Sequence, residues 1–320
     1  MTATLKNILT GKNSRQGLWI LPLIIVVIGF VSLSVSTEDF ATSQNLSNLL
    51  KQAMPLIIVA IGQMIVILLG GMDLSVGSMI SLTTALLAID APAVVTIPLV
   101  VVAAVMVGFI NGFSVVRLNV HPIIATLSMQ FIVLGVAKLI RPVAGGSVPE
   151  FLVQWVNGTI FGVSTVFLWT PIVILIGWKL IHGSRYGLHL FAIGGGAAEG
   201  QEDAAHNFGI SDRRNIIVAY ICSALFAALA GAFLAGRIAS GDPNVGTIFA
   251  LDSVTAVAIG GTQLSGGIGG LHGTLIGALL MALLSNGMNL ANLSAFLQGS
   301  IKGGILLLVV ALQSRKKMGL

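Results

Sequence analysis

Met54-Pro55-Leu56-Ile57-Ile58-Val59-Ala60-Ile61-Gly62-Gln63-Met64-Ile65-Val66-Ile67-Leu68-Leu69 runs without a charge into Gly70-Gly71-Met72-Asp73-Leu74-Ser75-Val76-Gly77-Ser78, and Met79 to Ile89 is apolar again. The first run has helical length and no strand-like alternation. An aspartate between two such runs is costly to bury, so it stands at an interface or faces a polar cavity. The break has an echo late in the chain, Gly260-Gly261-Thr262-Gln263-Leu264-Ser265-Gly266-Gly267. Both copies read Gly-Gly-x-x-Leu-Ser-x-Gly.

The pattern extends outward from this stretch. Apolar residues make up 56% of the 320 and charged residues only 8%, against about 25% charged in a soluble domain. Apolar stretches of about twenty residues, enough to cross a bilayer as a helix, recur throughout. The chain therefore reads as an all-α, polytopic integral membrane protein with about ten transmembrane helices. A β-barrel would alternate apolar and polar residues along each strand, which these runs do not.

The net charge of +5 is accounted for by basic residues flanking membrane helices on the cytoplasmic side, with no nucleic acid required. The single cysteine, Cys222, excludes an internal disulfide. Lys6, Lys12 and Arg15 precede the run Leu18 to Val35, which is too long for a signal-peptide core of about 7–15 residues and reads as a retained first helix.

Expected helices cover 17–36, 47–69, 76–89, 97–116, 122–140, 163–181, 215–235, 253–264, 273–289 and 295–312, all within a single transmembrane domain, 1–320. Segment 253–264 is short and could be re-entrant. Residues 144–169 read as an outer loop with a short surface helix. Residues 183–214 form the longest polar stretch, a cytoplasmic coupling loop whose middle, Ala197 to Phe208, suits a short amphipathic helix. Ten crossings put both basic termini inside, with Arg117, Lys179, Arg185, Arg213 and Arg214. Lys51, Lys138, Arg141, Arg237 and Lys302 fall to the outer side.

Corresponding interrupted segments in two halves of a membrane protein point to a transport path. On that reading Gly71, Asp73, Ser75, Gly261, Gln263 and Ser265 line a translocation path or inner gate, joined by the two Asn-Gly pairs at Asn111 and Asn286. The alternative is a pair of tight cytoplasmic turns, with glycine there for positive φ. His121, His182, His189, His206 and His272 are scattered, and no His-Glu-x-x-His or cysteine pair supports a metal site. No serine is paired with a base by sequence, and no phosphate-binding Gly-x-x-x-x-Gly-Lys loop occurs. No enzyme and no cofactor is expected, and any ATP driving the protein is bound by another chain.

Four blocks in the chain resemble one family. They are Gly70-Gly71-Met72-Asp73-Leu74-Ser75-Val76-Gly77; Asn111-Gly112 with Pro122-Ile123-Ile124-Ala125-Thr126-Leu127; Ala192-Ile193-Gly194-Gly195 with Ala204-Ala205 and Gly209-Ile210; and Leu251-Asp252 through Gly260-Gly261-Thr262, Gly266-Gly267, Gly269 and Gly273-Thr274-Leu275-Ile276-Gly277. The chain is similar to the membrane permease subunit of bacterial ABC importers of the ribose, xylose and autoinducer-2 type. The resemblance implies an ABC-importer permease fold in the bacterial inner membrane and import of a sugar or sugar-like solute by alternating access. It also implies a second permease copy, identical or not, a cytoplasmic double-cassette ATPase and a periplasmic solute-binding protein. In this picture Gly195, Ala204, Ala205, Gly209 and Ile210 contact the ATPase. The segment between Gly195 and Ala204 is longer than the usual family loop. The competing readings are an ion-coupled secondary transporter, which would use Asp73 or Asp252, and a non-transporting membrane scaffold.

Overall fold

The computed structural model describes residues 19–199 and 209–312. Twelve helices occur among them: α1 Ile20–Ser36, α2 Ser43–Leu68, α3 Val76–Leu87, α4 Ala93–Arg117, α5 Pro122–Ile140, α6 Glu150–Asn157, α7 Val166–Ile181, α8 Arg185–Glu199, α9 Asp212–Ile238, α10 Phe249–Ile259, α11 Leu271–Leu290 and α12 Ala295–Leu312. One small hairpin, β1 Thr159–Ile160 with β2 Val163–Ser164, joins α6 to α7.

The centre is α2. Every residue from Ala53 to Leu68 is buried, as a helix apolar on all sides must be. All twelve residues of α3 are buried as well. Against these packs α9, whose small residues allow close approach. A methyl group added at Gly62 of α2 would fall 2.8 Å from Phe226 Cβ, and one at Gly108 of α4 would fall 2.5 Å from Ile221 Cα.

The outer helices are two-faced. In α4 the buried residues Val100, Ala104, Val107 and Asn111 follow the helical repeat, while Leu99, Val102, Met106 and Phe113 are exposed. In α5, Met129, Val133 and Ala137 face inward, with Phe131, Ile132 and Leu139 exposed. An apolar exterior over a packed interior belongs to a protein solvated by lipid.

Five helices (α2, α4, α5, α9 and α11) are long and apolar enough to cross a membrane. The pair α7 and α8, bent by 63°, makes a sixth. Between them lie the shorter apolar helices α1, α3, α10 and α12. The chain is an α-helical, polytopic membrane protein. At 12 and 11 residues, α3 and α10 are about 18 and 17 Å long, well short of a hydrocarbon core of about 30 Å.

Several segments differ from their sequence-based bounds for visible reasons. The eighth expected helix, 253–264, is α10, Phe249–Ile259, because Gly261, Gly266, Gly267 and Gly269 all have positive φ and end the helix. The stretch 183–214 is not simply a loop: Arg185–Glu199 is helical, and the helix expected over Ala197 to Phe208 falls mostly on residues outside those described. The surface helix expected in 144–169 is α6, which buries Leu152 and Val156, so it is a packed element. Lys302 does not mark the outer end of a helix. It is the eighth residue of α12 and bonds to Asp252 of α10.

At the end where α2 starts, the structure is stapled. The Arg141 guanidinium donates to the Ala88 carbonyl. Gly145 and Gly241 exchange backbone hydrogen bonds of 2.9 and 3.0 Å, and the Thr84 hydroxyl donates to the Asp242 carbonyl at 2.8 Å. The two glycine breaks lie at the opposite end.

Candidate functional site: the junction of two helix breaks

The first break begins where α2 stops. Gly70 takes φ +79°, a left-handed conformation that costs glycine little, and the chain turns back beside α2. The side-chain amide of Gln63, with its nitrogen toward the Asp73 carbonyl, donates to that oxygen at 2.9 Å and accepts from the Asp73 N–H at 3.2 Å. Buried non-helical backbone thus receives its hydrogen bonds from a side chain, which is the condition for tolerating it inside a membrane protein.

Asp73 is fully buried. Its Oδ1 accepts from the Ser75 N–H at 3.0 Å and the Ser75 hydroxyl at 2.6 Å. Asn111 of α4 donates from Nδ2 to Ser75 Oγ at 2.9 Å. The carboxylate precedes Val76, the first residue of α3, so it sits at the positive end of that helix. Two residues of α9 complete the surroundings. Ser223 lies beside the carboxylate, and the Tyr220 hydroxyl comes within 2.8 Å of where a Gly71 methyl would stand. This is a closed polar knot drawn from α2, α3, α4 and α9.

The second break is built differently. Gln263 N–H donates to the Ile268 carbonyl at 2.8 Å, and Gly266 N–H to the Gln263 carbonyl at 3.0 Å. The segment therefore bonds largely to its own backbone, and Ser265 is exposed. The two breaks meet where Gly267 N–H donates to the Leu68 carbonyl at 2.9 Å.

A third strand of backbone reaches this meeting point from α8. A methyl group on Gly194 would fall 1.7 Å from the Leu68 carbonyl oxygen, and one on Gly267 would fall 2.6 Å from Gly195 Cα. Only residues without side chains let three backbones approach this closely. At the base of α8 the rings of Trp178 and His182 stack at 4.7 Å, with His272 of α11 edge-on to Trp178 at 5.0 Å.

The residues expected at the path fall into three places. Gly71, Asp73, Ser75 and Asn111 form the knot. Gly261, Gln263 and Ser265 form the second break, joined to the first through Leu68 and Gly267. Asn286 stands apart, in a reciprocal amide pair with Asn45 at 3.1 and 3.4 Å. That pair ties the start of α2 to the last turns of α11, at the far end of the bundle. Of the residues expected at an ATPase, Gly195 lies at the junction, while Gly209 and Ile210 lead into α9. Ala204 and Ala205 lie outside the described residues.

Gln63, Gly194, Tyr220 and Ser223 were not among the expected site residues. Gln63 is the one amide in an otherwise apolar run of α2, and that isolation is the signal that could have found it. The Asp252–Lys302 ion pair was also missed. Its Nζ–Oδ2 distance is 2.7 Å, with the two side chains 11% and 17% exposed. Among the described residues no group of three or more His, Cys, Asp or Glu side chains could hold a metal ion.

The sequence profile of the family described as "Branched-chain amino acid transport system / permease component" matches residues 45–310. The chain is 34% identical to the ribose import permease protein RbsC of Escherichia coli K12, covering 96% of this chain and 98% of that protein. It is 34% identical to the RbsC of Bacillus subtilis strain 168, covering 92% of each. It is 29% identical to the galactose/methyl galactoside import permease protein MglC of Salmonella typhimurium LT2, covering 94% of each. No solved structure gives a significant match.

Proposed function

The chain belongs to the branched-chain amino acid transport system permease family, and from that premise we propose that it carries a sugar or sugar-like solute across the bacterial inner membrane in an ATP-driven importer. It is a multi-pass membrane transport component and not an enzyme. ATP is hydrolysed on a cytoplasmic double-cassette ATPase, a periplasmic binding protein delivers the solute, and a second permease copy completes the path. Both termini and the two breaks face the cytoplasm.

The observation that carries this reading is the three-backbone junction. The coupling segment begins with α8, and α8 rests on the Leu68 carbonyl and on Gly267. Displacement of α8 by an ATPase docked on 183–214 is therefore delivered to both breaks at once. Gly71, Asp73, Ser75 and Asn111 support the inner gate from the first break, and Gly261, Gln263 and Ser265 form its more exposed part. Gly195, Ala204, Ala205, Gly209 and Ile210 belong to the ATPase-facing segment.

Of the two carboxylates that the ion-coupled alternative would use, Asp252 is paired with Lys302, while Asp73 accepts two hydrogen bonds on Oδ1 and has Oδ2 buried without a hydrogen-bond partner. The test is uptake of labelled D-ribose or D-galactose into vesicles holding permease, ATPase and binding protein. Uptake should require all three components and ATP. Full uptake from an ion gradient without the ATPase would instead establish the alternative.

A further inference from the structure

The Asp252–Lys302 pair is a charged feature that the junction does not use. Lys302 lies seven residues into α12, and the helix continues for at least ten residues beyond it, about 10 and 15 Å along the axis. It therefore stands well inside an apolar helix and not at its start. Asp252 is on α10, one of the short helices, and the non-helical stretch leading into it runs beside α3, with Gly246 N–H donating to Ser81 Oγ at 3.0 Å. An ionisable pair so placed, on an interrupted segment, is where transport paths are built.

The pair opens outward. It borders a cleft of about 290 Å³ between α10 and α12, lined also by Thr255, Gln298, Gly299 and Gly303. Methyl groups at Gly299 or Gly303 would meet nothing within 4 Å. The rim is apolar: Ile248 and Leu251 are both exposed. A carboxylate, an ammonium, an amide and a hydroxyl lining one cleft between apolar membrane helices cannot face hydrocarbon cheaply.

Resting on the proposal that two permease copies form the path, we infer that the α10–α12 cleft is this chain's wall of the aqueous solute path, closed from lipid by the second copy. Asp252, Thr255, Gln298 and Lys302 present both donors and acceptors to the hydroxyls of a passing neutral polyol. Because the two charges are paired, the wall carries no net charge, which suits an uncharged solute. The volume is at the lower limit of small-molecule sites, about 300–1,000 Å³, as expected for half of a shared site. The gate at the glycine junction then lies below this wall on the same path.

Thiol labelling tests the assignment independently of which solute is carried. In the assembled complex in membranes, on a Cys222→Ser background, Gly299→Cys and Gly303→Cys should react with a charged, membrane-impermeant methanethiosulfonate at least tenfold faster than Phe131→Cys, an exposed residue in the middle of α5. Cleft cysteines that react no faster than Phe131→Cys would overturn the inference, leaving the ion pair as a staple between two helices. In the same complex, Asp252→Asn/Lys302→Gln, which leaves no unpaired charge, should lower D-ribose uptake at least tenfold while ATP hydrolysis continues. Unchanged uptake by that double variant would also count against it. If the wild-type complex takes up neither D-ribose nor D-galactose, the transport proposal fails on its own, and the labelling result still decides whether the cleft holds water.

Discussion

The two glycine breaks are copies of one eight-residue motif, identical at five positions, and differ in almost everything around them. The first is held from outside itself: Gln63, Asn111, Tyr220 and Ser223 converge on Asp73 and Ser75 from three helices. The second is held mainly by its own backbone, with Ser265 in the open. The lesson is that a repeated motif gives a repeated backbone problem and not a repeated role. Asp73 has side-chain partners that Gln263, its counterpart, does not need. From this contrast we expect the first break to be the fixed half of the junction and the second the half that moves.

The contrast can be broken most severely at the point the two breaks share. Gly194→Ala places a methyl against the Leu68 carbonyl, where nothing soft can yield, so it should separate ATP hydrolysis from transport. We expect more than a tenfold loss of uptake in vesicles with hydrolysis largely retained. Unchanged uptake would mean that α8 does not drive the breaks.

Next in size is Asp73→Ala. It removes the acceptor of two hydrogen bonds in a buried site and should cost about 3 kcal/mol, read as a lowered unfolding midpoint in detergent. If expression, stability and ATP-driven uptake all stay at wild-type levels, the first break is not the fixed half. The smallest effects separate the two copies at one motif position. Ser75→Ala should destabilise by about 1.5 kcal/mol, because a hydroxyl bonded to a carboxylate is lost. Ser265→Ala, exposed, should stay within about 0.5 kcal/mol of wild type. Equal effects at the two serines would erase the distinction.

The sequence made the central helix and both breaks visible, because a long apolar run ending in paired glycines has few physical outcomes. It could not show that the breaks touch, since Leu68 and Gly267 are far apart in the chain and a backbone hydrogen bond leaves no trace in residue type. Gly194-Gly195-Gly196 fell within the stretch 183–214 that reads as a loop. Their role is close backbone approach within a helix, which the same residues encode equally well. Tyr220 and Ser223 were hidden in an alanine-rich helix whose composition announced only packing. Lys302 was misplaced because counting charges by side assumes that basic residues flank helices, and this one stands within a helix opposite its own partner.

The staple formed by Arg141, Gly145 and Gly241 has a mechanical consequence. It fastens α3, α5 and the segment after α9 at the end remote from the junction. On the proposed mechanism, a push from α8 is then expected to move the junction end while the stapled end holds still, so that the subunit hinges instead of shifting as a block.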